Sequence, residues 1–171
     1  MATVARLIIL DVAFALIAFS AAAQESKDTK KNSLYASALV ASLDEMEKSW
    51  GRIDDSNGGS GIRTDYRHMP VVKDPEITDA LASQFGDHQV EYLDNQAQID
   101  RYKSLRKNFS ILKIHPVQID GEHLKITVSV YYVEYEKRKL RLALSDWSEV
   151  EFHFDCEQQR YAISSVKLGG I

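Results

Sequence analysis

The last third of the chain, from Phe109 onward, constrains the fold most. It reads as long strands joined by tight turns. Between Leu124 and Glu136 the residues alternate strictly. Leu124, Ile126, Val128, Val130 and Tyr132 share one face, and Lys125, Thr127, Ser129, Tyr131, Val133 and Tyr135 share the other. A period of two over that length is a strand, because successive side chains leave a pleated backbone on opposite sides. Asp120-Gly121 before it is a hairpin signal, since both residue types tolerate positive φ. The strand ahead of that turn, Phe109 to Ile119, is bent by Pro116. After a turn near Glu136 to Arg138 come Leu140, Leu142 and Leu144. Ser145-Asp146 reads as a bulge or corner, followed by Trp147 and the apolar set Val150, Phe152 and Phe154. Tyr161 to Leu168 closes the sheet.

A sheet with apolar residues on one face must bury them against something. Upstream, Leu39, Leu43, Met46, Trp50 and Ile53 recur at helical spacing behind the N-cap residue Ser33, which predicts a helix laid on that sheet. A second helix is expected after Asp74-Pro75, with Ile77, Leu81 and Phe85 on one face and Gly86 as its stop. A short strand at Gln89 to Leu93 follows. A third helix begins at Asp94, with Ile99, Tyr102 and Leu105 as its buried face. The segment from Ile62 to Asp74 is irregular around Pro70, with at most an edge strand.

The amino terminus is organised differently. Arg6, the apolar run Leu7 to Phe19 and the small residues Ala21-Ala22-Ala23 follow the plan of a signal peptide cleaved before Gln24. Asp11 interrupts the run, which is also too short for a stable membrane span. Residues 1–23 are therefore expected to be removed on export to the periplasm or medium. Residues 24–32 are a polar, disordered linker, and residues 33–171 are a single domain of a size that buries close to 70% of its unfolded surface. The lone Cys156 cannot form an intrachain disulfide and is expected half-buried at a strand end.

The formal net charge of −4 argues against a nucleic-acid binder. His68, His88, His115 and His123 lie on separate stretches without zinc spacing, and the loop from Asp54 to Gly61 fails the calcium-loop pattern at its fifth and twelfth positions. No nucleophile elbow or phosphate-binding glycine loop occurs, so neither metal nor cofactor is expected. The catalytic candidate is His153, which shares a strand face with Glu149, Glu151 and Asp155 as a general base would. With Val150, Phe152 and Phe154 as the core set, that face points outward. Candidate ligand-binding residues are Tyr131, Tyr135 and Ser129 on the mixed face of the second long strand, together with Trp50.

Helices first, then long antiparallel strands with Val117-x-x-Asp120-Gly121, Trp147-x-x-Val150-x-Phe152 and a closing Tyr161-Ala162-Ile163-Ser164, resembles the nuclear-transport-factor-2-like superfamily, the polyketide-cyclase-like or cone fold. The resemblance spans about residues 33 to 168. It implies an α+β domain with amino-terminal helices on a curved antiparallel sheet of about four long strands, an interior pocket and often a homodimer. A cystatin-like arrangement is the alternative. Since that fold hosts many activities, it implies no single one. The expected function is an exported, non-catalytic binding or interaction domain for a small apolar ligand or a protein. The alternatives are a lyase or isomerase with an acid/base site in the cone, and an immunity-type protein inhibitor.

Overall fold

The computed structural model describes residues 34–50, 65–137 and 139–170. Strand dominates these residues. In chain order they form α1 (34–50), β1 (His68–Val72), β2 (Gln84–Phe85), β3 (His88–Leu93), α2 (Asn95–Leu105), β4 (Phe109–Ile114), β5 (Gln118–Asp120), β6 (His123–Glu136), β7 (Lys139–Asp155) and β8 (Arg160–Gly170). The eight strands make one mixed sheet in the order β2-β3-β1-β4-β6-β7-β8, and β5 pairs with β6 beside β4. β1 runs parallel to β3 and to β4, while the remaining pairs are antiparallel. This overturns the expectation of three amino-terminal helices on about four antiparallel strands, cone-like or cystatin-like. Two helices are present among the described residues, and they lie on opposite faces of the sheet.

The first helix follows its sequence pattern through Leu39, Leu43 and Met46; Trp50 is half-buried, and Ser33 and Ile53 lie outside the described residues. Tyr35, Ala38, Leu39, Ser42, Leu43 and Met46 are all buried, a stripe at the 3-4 spacing of one helical face. Its polar member, Ser42, donates a 3.0 Å hydrogen bond to Ser148 Oγ on β7. That contact fixes the α1 side of the sheet. Ser148 pairs with Val128, so Ile126, Val128, Val130, Val150 and Phe152 lie under α1, all of them buried. The Tyr35 hydroxyl accepts from the Val117 N–H, tying the start of the helix to the chain beyond Pro116.

The other face is covered by α2. Asp94 caps it by accepting from the Ala97 N–H at 2.8 Å, and Arg106 ends it in the left-handed region at φ 53°. The expected burial of Ile99, Tyr102 and Leu105 is corrected: Leu105 is 42% exposed, while Gln98 is 1% exposed and donates to the Leu93 carbonyl. Tyr102 instead packs along the edge of a cluster formed by Leu93, Phe109, Ile111 and Val133.

The helices therefore cover opposite ends of β6. Under α1, Leu124 is half-buried and Ile126, Val128 and Val130 are buried. Beyond it Tyr131, Val133 and Tyr135 turn to the α2 side. On β7 the register shifts opposite Val130/Tyr131, leaving Ser145 as an extra residue. That bulge places Leu140, Leu142 and Leu144 on the α2 side, although Val150 and Phe152, in the same phase of the sequence, face α1.

The helix expected from Pro75 to Phe85 does not form. One turn closes on Asp74, whose carbonyl accepts from the N–H groups of Ile77 and Thr78, and the Thr78 hydroxyl donates to the same carbonyl. The chain then extends, because Gly86 at φ +57° turns Gln84 and Phe85 back onto Gln89 and His88. β1 also departs from expectation, being interior rather than an edge. Arg67 and Lys73 bond to β3, so by alternation the missing N–H of Pro70 faces β4. The β1–β4 ladder there is confined to Val71 with Leu112, so the sheet loses little. At the other hairpins, Asp120 pairs with His123, leaving Gly121-Glu122 as a two-residue loop. Gly121 at φ +61° is the positive first position of a II′ turn. Cys156 lies exposed in the β7–β8 turn, not half-buried at a strand end.

Candidate functional site

The βαβ connection from β3 through α2 to β4 brings together residues that are far apart in sequence. Under α2, a cleft of about 530 Å³ is lined by His68, Met69, Pro70, Ser83, Gln89, Val90, Glu91, Tyr92 and Arg101. Its volume falls within the range of small-ligand sites, roughly 300–1,000 Å³. Of these, Pro70 lies on the α2 side with Glu91 and supplies apolar wall, whereas the side chains of Met69 and Val90 are buried on the α1 side and only their backbone borders the cleft. The charged group is one ion pair, in which Arg101 Nη1 on α2 donates to Glu91 Oε2 on β3. The guanidinium carbon of Arg101 stands 5.6 Å from the centre of the Phe109 ring, so the cation is held by an aromatic face as well as by a carboxylate. Arg101 Nε is buried without a hydrogen-bond partner. At one wall, the Tyr92 hydroxyl donates to the Ala82 carbonyl, and burial pushes the phenol up to about 12. Tyr92 is thus a neutral donor across the physiological range. His68 Nδ1 lies 2.8 Å from Asp65 Oδ2, and that bond holds the Asp65 carboxyl below the ordinary range.

The sequence candidates are dispersed. His153 is exposed on β7, on a face that carries charge. Lys167 spans Glu149 and Glu151 at 4.0 and 3.9 Å, and His123 Nδ1 lies 3.2 Å from Glu151 Oε1. Asp155 accepts from the N–H groups of Glu157 and Gln158, which holds it below the usual carboxylate range and orders the turn. Tyr131 and Tyr135 face α2. Tyr131 packs on the Phe109 cluster, and the Tyr135 ring lies 5.9 Å from that of Tyr102. Trp50 lies on α1 with its ring 6.4 Å from Tyr66.

Ser129 belongs with a histidine that the sequence did not connect to it. His115 Nε2 lies 3.0 Å from Ser129 Oγ across the β4–β6 boundary. Burial, with Lys113 nearby, lowers the affinity of His115 for its proton. A neutral imidazole beside a hydroxyl resembles half of a nucleophilic dyad. Ser129, however, is 4% exposed, so its oxygen cannot meet a substrate. The pair stitches two strands together. A second buried histidine, His88, joins α1 to the sheet: Nε2 contacts Asp44 Oδ1 at 2.8 Å and Nδ1 contacts the Tyr66 carbonyl at 3.2 Å.

Among the described residues no three His, Cys, Asp or Glu side chains converge as a metal site. The calcium-type loop considered above, the signal sequence and the linker lie outside the described residues. No described helix is long and apolar enough to cross a membrane. The cleft residues come from β1, the segment before β2, β3 and α2. No local motif joins them; only the crossover does. Comparison with protein-family models, with curated proteins and with solved structures finds no match for this chain.

Proposed function

We propose that the chain is an exported binding domain, without catalysis of its own, whose ligand site is the cleft under α2. The observation that carries this reading is the ion pair of Arg101 and Glu91 set beside the apolar ring of Pro70, with the Phe109 ring behind the guanidinium. A fixed pair of opposite charges beside apolar surface suits a small amphiphile that has an apolar body and a polar head able to both donate and accept. Export rests on the signal-like character of residues 1–23. The absence of catalysis rests on the dispersal of the acid/base candidates: His153 is on the open face of β7, and His115 is engaged with a buried serine.

The test is a set of ¹H–¹⁵N correlation spectra recorded against small aliphatic and aromatic carboxylates, amides and amines. Shifts should concentrate at the amides of Met69, Gln89 to Tyr92 and Arg101, and Arg101→Leu should remove them. Shifts confined to β7 and β8, or turnover of a compound that His153→Ala abolishes, would refute the proposal.

A further inference from the structure

Strand β7 is longer than the strand that covers it. β8 pairs with β7 only from Asp146 to Asp155, ending where Gly170 meets Asp146. On its inner side β7 pairs with β6 down to Lys139. The outer edge of residues 139–145, Lys-Leu-Arg-Leu-Ala-Leu-Ser, therefore has no strand beside it among the described residues. Leu142 and Leu144 on this stretch are 38% and 40% exposed. They face the α2 side with Leu140, which packs against the Phe109 cluster. The leucine row is thus the open rim of a core, set along an edge whose backbone donors and acceptors meet no other strand among the described residues. An apolar edge of this kind is a template for another strand.

We propose that this edge pairs with the same edge of a second copy of the chain, antiparallel and centred on Leu142. The sequence is self-complementary about that point. With Leu142 opposite its symmetry mate, Leu140 faces the partner's Leu144 and Leu144 faces the partner's Leu140. All six leucines then lie on one side of the joined sheet. On the other side Arg141 faces the partner's Ala143, and at the ends Lys139 faces the partner's Ser145. No like charges are opposed, and a two-fold interface requires this kind of self-match. Glu136 lies 3.4 Å from Arg141 and partly neutralises it within its own chain. The longer edge of β8 is a poorer template. It is bulged at Ser164, whose hydroxyl donates to the Glu151 carbonyl, and it carries Lys167.

The register can be tested directly. Directly opposed residues of an antiparallel pair have Cα atoms about 4.5–5.5 Å apart, within disulfide reach. In a Cys156→Ser background, Leu142→Cys should therefore cross-link to a covalent dimer on mild oxidation, whereas Leu144→Cys alone should not. Ala143 is exposed and lies away from the leucines, so it reports on pairing without touching the apolar row. Ala143→Lys opposes two like-charged pairs and should weaken the dimer by about 2- to 30-fold in sedimentation velocity. Ala143→Glu should tighten it. A chain that stays monomeric up to millimolar concentration, a dimer indifferent to both Ala143 variants, or cross-linking through Ile163→Cys on β8 in place of Leu142→Cys would overturn the proposal.

Discussion

Ser42 and Ser148 offer the sharpest test of how α1 is seated. Both side chains are fully buried, and their hydroxyl oxygens are 3.0 Å apart between helix and sheet. Replacing one serine by alanine removes the partner while the other hydroxyl stays away from water. A buried polar group without its partner costs about 1–3 kcal/mol, whereas deleting both partners together is close to neutral. Ser42→Ala and Ser148→Ala should therefore each lose about 1–3 kcal/mol, and the double variant should lose far less than their sum. Urea unfolding followed by the fluorescence of Trp50 and Trp147 reads this directly. With a slope of roughly 2 kcal/mol per molar urea, a loss of about 2 kcal/mol moves the midpoint by about 1 M. Additive losses in the double variant, or single variants with unshifted midpoints, would refute the claim that α1 docks through this pair.

Three further outcomes follow from the same packing. The Trp147 ring covers Gly169, where an added Cβ would lie 2.2 Å from Trp147 Cζ2, so Gly169→Ala should displace the indole and destabilise by about 1–3 kcal/mol, with a changed tryptophan emission spectrum. His115 holds its proton less tightly when folded, so the unfolded chain binds more protons; stability should rise with pH up to about 6.5 and fall below it, and His115→Gln should flatten the urea midpoint between about pH 5 and 7. Leu43→Ala should cost about 2–5 kcal/mol because the side chain is fully buried, while Leu105→Ala, on the open side of α2, should stay within about 0.5 kcal/mol by thermal or chemical unfolding.

Where one element's own pattern decides its structure, the sequence was legible. The stripe of α1, the cap at Asp94, the alternation of β6 and the irregularity at Ser145 are all local. What escaped depends on neighbours. Ile77, Leu81 and Phe85 have helical spacing, yet Gly86 turns Phe85 back onto His88, and strand pairing wins over a helix with few buried positions. Pro70 argued against an interior strand, and only the parallel alternation beside β3 reveals that its missing N–H is harmless. Gln98 rather than Leu105 is interior, where its amide donates to the Leu93 carbonyl beside the Lys73 N–H. The cleft was illegible for the same reason. His68, Gln89 and Arg101 become neighbours only once α2 crosses the parallel strands, and no spacing encodes that crossing. Ser129, a binding candidate, and His115, one of the scattered histidines, were each visible, but their contact depends on the register of β4 with β6.

The seat of α1 also has a consequence for how the molecule is made. Ser42 meets Ser148 across 106 residues of chain. During synthesis the helix emerges first, and its apolar stripe stays incompletely covered until β6 and β7 follow. β1 waits as well, since the two strands that flank it are both made later. The amino-terminal half must therefore travel as an unfinished, adhesive intermediate, and a holding chaperone should engage it there and let go once the β6–β7 hairpin closes.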